Sequence, residues 1–104
     1  MRLNLEDGTT LENPTREAVE KSLRSLRVPG CTFAILEKAA GSYIQTAKNE
    51  DGSFVLEFQD GSLSQHYELS YLAQLEDVVE AFCSYLVGGE EWRTSYEWQK
   101  MKLP

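Results

Sequence analysis

His66 is the one histidine of this 104-residue chain and the first residue to weigh as a catalytic group. Ser62, Ser64 and Glu68 lie close to it in sequence, so a small hydrolase-like enzyme could pair His66 with a nearby carboxylate. However, the chain has no Gly-x-Ser-x-Gly nucleophile elbow, and serine is common in turns. The pattern therefore favours a strand-surface or half-buried His66 and leaves the enzyme open as an alternative.

The adjacent acids Glu50-Asp51, Glu76-Asp77 and Glu90-Glu91 raise the question of a divalent metal site. The segment 49–52, which contains one pair, lacks the alternating oxygen ligands of a calcium-binding loop, and its Asp51-Gly52 is typical of a hairpin turn. The sequence also contains no glycine-rich phosphate-binding loop. We therefore predict no metal and no cofactor.

Charge is distributed unevenly along the chain. Residues 50–91 contain ten carboxylates and no lysine or arginine, whereas the remainder holds all ten basic residues and seven acids. The stretch thus carries −10 and the remainder +3, which sum to the formal charge of −7. We expect these acids to gather over one half of the fold, where they would repel nucleic acid and anionic membranes and favour a basic protein partner. The ten acids are Glu50, Asp51, Glu57, Asp60, Glu68, Glu76, Asp77, Glu80, Glu90 and Glu91.

The compartment and the domain count follow from length and hydropathy. A chain of 104 residues predicts one domain, residues 1–104. Neither a signal-peptide core near the start nor an apolar run of about 20 residues is present, so we expect a cytoplasmic protein without a membrane span. Cys31 and Cys83 are far apart and are interpreted as reduced core residues.

Strands and helices are predicted from periodicity and from turn signals. Alternating hydrophobicity favours strands, glycine-containing pairs mark turns, and a period near 3.6 favours helices. Asn13-Pro14 is a typical helix start, and Pro29 disfavours helix at Val28. Strands are predicted over 2–5, 9–11, 31–37, 42–48, 53–59, 63–69 and 96–103. Helices are predicted over 14–27, with Asn13 as the N-cap, and over 75–87.

Short turns join the central strands, so these must pair antiparallel, because a parallel connection needs a crossover of about a dozen residues. The prediction is an α+β fold: an antiparallel meander of about four to six strands with two helices packed on one face.

Acids and tryptophans near the second helix are the candidate partner-binding residues. The acids lie on the polar face of that helix and just beyond it, and tryptophan is enriched at interface centres. Packing as core or as a lid over the sheet is the other interpretation of both tryptophans. The candidates are Glu76, Asp77, Glu80, Glu90, Glu91, Trp92 and Trp98. If the helix is the contact surface, reversing Glu76, Asp77 and Glu80 to lysine should abolish binding.

The C-terminal half resembles small bacterial immunity proteins that accompany polymorphic toxins. The similarity covers residues 53–98: the strand 54–58, the Asp60-Gly61 turn, the helical run 78–86, the glycine-rich segment 88–92 and Trp98. The resemblance implies stoichiometric inhibition of a toxin domain by covering its active site, and it carries over no catalytic residue. We therefore expect a non-catalytic acidic protein-binding module, monomeric or homodimeric, with a small enzyme or a structural homodimer as alternatives.

Overall fold

The computed structural model of the chain describes residues 1–101. It shows an α+β fold, as predicted. The seven strands lie on the seven predicted segments and join one sheet, which is larger than the expected meander of about four to six strands. The strands are β1 (Arg2–Leu5), β2 (Thr10–Glu12), β3 (Phe33–Ala39), β4 (Ser42–Lys48), β5 (Phe54–Asp60), β6 (His66–Leu69) and β7 (Trp98–Lys100). The helices are α1 (Arg16–Arg24), α2 (Leu75–Leu86) and the single-turn α3 (Glu91–Thr94).

All seven strands form one antiparallel sheet in the order β2-β1-β3-β4-β5-β6-β7. Strands β3 to β6 are the predicted meander. Its turns bring Gly41 and Gly61 together, since the Gly61 N–H donates to the Gly41 carbonyl at 3.0 Å. A Cβ at Gly41 would lie 2.6 Å from the Gly61 oxygen, and Gly41 has φ +80°, so glycine is required there.

Helices α1 and α2 cover one face of the sheet and enclose the core. The alternation of β3, β4 and β5 turns Leu36, Ile44 and Leu56 toward the helices, and all three are fully buried. The helices contribute their apolar stripes to the same core: Val19, Leu23, Val78, Ala81 and Phe82. The sheet face turned away from these helices is called here the open face.

The N-terminal boundaries differ from the predicted ones. Helix α1 begins at Arg16 and not at Pro14, because the N-cap is Thr15 and not Asn13; the Thr15 Oγ1 accepts from the Ala18 N–H at 3.1 Å. Asn13 has a positive φ, and its side chain instead accepts from the N-terminal ammonium of Met1 at 3.0 Å. Cys31 lies outside β3, in an isolated bridge to Arg27.

The later strands are shorter than predicted. A turn of 3-10 helix, Leu63–Gln65, occupies the start of the predicted fourth meander strand. The last strand is confined to Trp98–Lys100, and the predicted end at 102–103 lies outside the described residues.

The C-terminal segment folds back through a cluster of aromatic rings. The Phe58 ring lies 4.8 Å, centroid to centroid, from each of Tyr67, Trp92 and Trp98. The indole N–H of Trp98 donates to the Trp92 carbonyl at 3.2 Å. This packing places β7 beside β6 and makes the segment part of the fold. Within residues 1–101, no helix combines the length and apolar character needed to cross a bilayer.

Candidate functional site

The acids of residues 50–91 do not form one surface, which corrects the expectation from the sequence. Each antiparallel turn reverses the chain, so Glu50 and Asp51 lie at one end of the sheet and Asp60 at the other. Alternation along β5 and β6 turns Glu57 and Glu68 toward the open face, while the acids of α2 lie in the helix layer on the opposite side.

Two of the three candidate acids on α2 already have intramolecular roles. Glu76 accepts two hydrogen bonds from the Arg24 guanidinium, at 2.8 and 3.1 Å, and this contact lowers the pKa of Glu76. Asp77 completes a capping box by accepting from the Gln74 N–H at 3.2 Å. Glu80 is exposed. Glu76 and Asp77 are therefore engaged within the fold, although 74% of the Glu76 side chain remains exposed.

The candidates beyond α2 mostly stabilise the C-terminal segment. Glu90 is the N-cap residue of α3, although its side chain makes no capping hydrogen bond. Hydrogen bonds from its own backbone N–H and from Ser84 lower the pKa of Glu91, whose Oε2 lies 3.2 Å from the Ser84 hydroxyl. Trp92 is only 8% exposed and Trp98 is half-buried, so little of Trp92 is available to a partner.

The open face carries more acids than bases. Strand alternation places four carboxylates there, with Arg2 and His66 as the basic residues of the same face. Arg2 is already paired with Glu12 at 2.6 Å. The described strands also carry three lysines, Lys38, Lys48 and Lys100. Lys48 and Lys100 pair in register with residues that face the helices, and Lys38 lies at the β3–β4 bulge. The carboxylates are Glu12, Glu37, Glu57 and Glu68.

Glu57 and Glu68 lie directly opposite each other on β5 and β6. Like charges at opposed cross-strand positions are destabilising. Burial and the carboxylates of Glu57 and Glu37 raise the pKa of Tyr43, which lies on the same face. The open face is therefore an acidic surface, on which Glu57 contacts His66 and Gln45 and Glu68 accepts from Gln99.

His66 is the centre of a hydrogen-bonded network on this face. Its Nδ1 lies 3.0 Å from the Gln59 Oε1, and its Nε2 lies 2.7 Å from the Glu57 Oε1. Gln59 donates its Nε2 to the Gly41 carbonyl, so its Oε1 is an acceptor that the Tyr43 hydroxyl also reaches at 3.2 Å. Both ring nitrogens thus face acceptors, and His66 is 7% exposed.

The structure gives His66 a carboxylate neighbour, but it is Glu57 and not the Glu68 that is nearest in sequence. Whether Glu57 or Glu68 contacts His66 depends on the pairing register of β5 and β6, and the sequence does not reveal this register. The one sequence signal for this face was the alternation of Val55, Glu57 and Gln59 along β5. Glu37, Tyr43 and Gln45, which lie on the same face, were not identified from the sequence.

Replacing His66 with alanine should lower the free energy of unfolding by about 1–3 kcal/mol, because Gln59 and Glu57 each lose a buried hydrogen-bond partner. Tyr43→Phe, which removes a single hydroxyl donor from Gln59, should cost less, about 0.5–1.5 kcal/mol. Urea unfolding of both variants and the parent measures the difference. Parental stability of His66→Ala would contradict the network.

Other chemistry-bearing groups do not assemble into a site in the part of the chain that is described. Cys31 and Cys83 are both buried and are not joined. Across residues 1–101, His, Cys, Asp and Glu side chains form no group of three or more that could hold a metal ion.

Comparison with known proteins adds no assignment. The chain has no significant match among protein-family models, curated proteins or solved structures.

Proposed function

We propose that this chain is a non-catalytic, acidic protein-binding module that docks on a basic protein through the open face of its sheet. The observation that carries the proposal is the set of acids Glu37, Glu57 and Glu68 on one sheet face, whose one arginine, Arg2, is already paired with Glu12. A cationic partner would be steered toward this face as it approached.

A catalytic role for His66 is less well supported by its surroundings. A general base must reach the proton that it abstracts. Both ring nitrogens of His66 are engaged by Gln59 and Glu57, and the side chain is almost fully buried. This arrangement favours a structural role for His66.

Self-association through the open face is also disfavoured. In a two-fold symmetric dimer the same patch meets itself, so acids such as Glu37, Glu57 and Glu68 would face their own copies. A partner of opposite charge suits the face better than a second copy of this chain.

The resemblance of residues 53–98 to bacterial immunity proteins suggests what the partner is. A toxin domain that acts on nucleic acid presents a basic cleft, and an acidic inhibitor can cover it while matching the charge of the substrate. We propose such a toxin domain, met in the cytoplasm, as the partner; nucleic acid and membranes are not expected to bind.

The test begins with a pull-down from the source cell at low salt, repeated at high salt, followed by kinetics with the purified partner. Association through this face should slow at least about tenfold between roughly 0.05 and 0.5 M salt, while dissociation changes less. An association rate indifferent to salt, or a partner that is itself acidic, would contradict the proposal.

A further inference from the structure

A small depression lies on the open face, above Ala47 of β4. The Cα partners of Ala47 in the sheet are Phe33 on β3 and Val55 on β5. Because the alanine methyl is shorter than either neighbour, a space of about 200 Å³ opens between them. Phe33, which lines this space, is 37% exposed.

Glu57 lies at one end of this depression in a fixed orientation. Its Oε1 accepts from the His66 Nε2 at 2.7 Å and from the Gln45 Nε2 at 3.1 Å. Among the described residues, the hydrogen bonds leave Oε2 of Glu57 without a donor and Oε1 of Gln45 without one. Two acceptors therefore lie beside an apolar-walled space, and the carboxylate is oriented before any ligand arrives.

The depression contains no positive charge to balance Glu57. Its lining consists of Phe33, Gln45, Thr46, Ala47, Val55 and Glu57. A group that fills it well needs an apolar stem, to cover Ala47 between Phe33 and Val55, and a cationic head with several donors. Arginine has both: a methylene stem and a planar guanidinium whose N–H groups can reach a carboxylate and a neighbouring amide oxygen.

We propose that this depression binds one arginine side chain of the basic partner. The stem lies over Ala47, and the guanidinium donates to Oε2 of Glu57 and Oε1 of Gln45. This inference rests on the proposed function and deepens it, because it names the anchor by which the partner is recognised. His66 is then a positioning residue, since it holds Glu57 and does not touch the ligand.

The probe is N-acetyl-arginine methylamide, titrated into isotope-labelled protein and followed by amide and methyl NMR. Chemical-shift changes are expected at Phe33, Ala47, Val55 and Glu57, with a dissociation constant on the order of millimolar. The citrulline analogue, which has the same shape without the charge, should cause no such changes. Changes confined to the helix layer, or equal changes with citrulline, would overturn the inference.

Two variants distinguish the contribution of charge to arginine binding from the contribution of shape. Glu57→Gln should weaken arginine binding about tenfold by removing the ion pair, whereas Glu17→Gln on α1, an equal charge change elsewhere, should not. Ala47→Leu leaves every charge in place and fills the depression, so it should abolish the site-specific shifts. If both Glu57→Gln and Ala47→Leu, shown to be folded by their NMR spectra, bind the probe as the parent does, the anchor site is wrong.

The same variants distinguish this inference from the proposed function. If Ala47→Leu binds the purified partner with parental affinity and salt dependence, the open face still docks a basic protein but the arginine anchor fails. If no basic partner is found at any salt concentration, the docking role fails, and the arginine titration then tests the depression by itself.

Discussion

Trp92→Ala is expected to lower the free energy of unfolding by about 3–5 kcal/mol, the usual cost of removing a large buried aromatic side chain. The indole packs edge-on against Phe58 and Tyr85, with ring centroids 4.8 and 5.1 Å apart. Its removal would leave a cavity between α2, α3 and β5 and would loosen the attachment of β7. Urea unfolding at fixed temperature and pH measures the change.

Tyr71→Ala is the matched control for Trp92→Ala. Tyr71 is also aromatic but is 47% exposed, so its loss should change stability by no more than about 0.5 kcal/mol. The alternative interpretation from the sequence makes Trp92 a partner-binding residue. A Trp92→Ala protein with parental stability and weakened partner binding would support that interpretation and contradict the burial described above.

Much of the fold follows from local patterns in the sequence. Strand β5 shows this best, because Phe54, Leu56 and Phe58 alternate with Val55, Glu57 and Gln59, and the first set is buried against the helices. The apolar stripe on α2 and the glycine that follows it predict that helix almost to the residue. These features depend on neighbours within a few positions, which a sequence displays directly.

The candidate site depends on register, which the sequence does not display. The Glu57–His66 contact exists because a 3-10 turn follows Gly61 and sets which residue of β6 faces Gln59. The run of acids along the chain was misleading for a related reason. Each turn of the meander reverses the chain, so acids that are close in sequence lie at different ends or on different faces of the sheet. The four-residue helix α3 is too short to show a period, so its role in burying Trp92 could not be predicted.

The second large effect is expected from reversing charge on the open face. In the double variant Glu37→Lys/Glu68→Lys, the dissociation constant for the purified basic partner should rise at least about tenfold, equivalent to about 1.4 kcal/mol. The reason is that two attractive contacts become repulsive ones. Stability should change little, because neither residue lies in the apolar core and the two register effects oppose each other. Glu68→Lys places a base opposite Glu57, whereas Glu37→Lys places one opposite Arg2.

The matched comparison is Glu76→Lys/Glu80→Lys, which makes the same change in net charge on α2. The sequence alone indicated α2 as the contact surface for the partner, so the two variants compare the helix surface and the open face directly. Partner affinity, measured by titration calorimetry at one low salt concentration for the parent and both variants, is the most direct test of docking through the open face. We expect the sheet variant to lose at least about tenfold in affinity and the helix variant to stay within about threefold of the parent. Loss of affinity in the helix variant, with parental binding by the sheet variant, would contradict docking through the sheet and return the contact surface to α2.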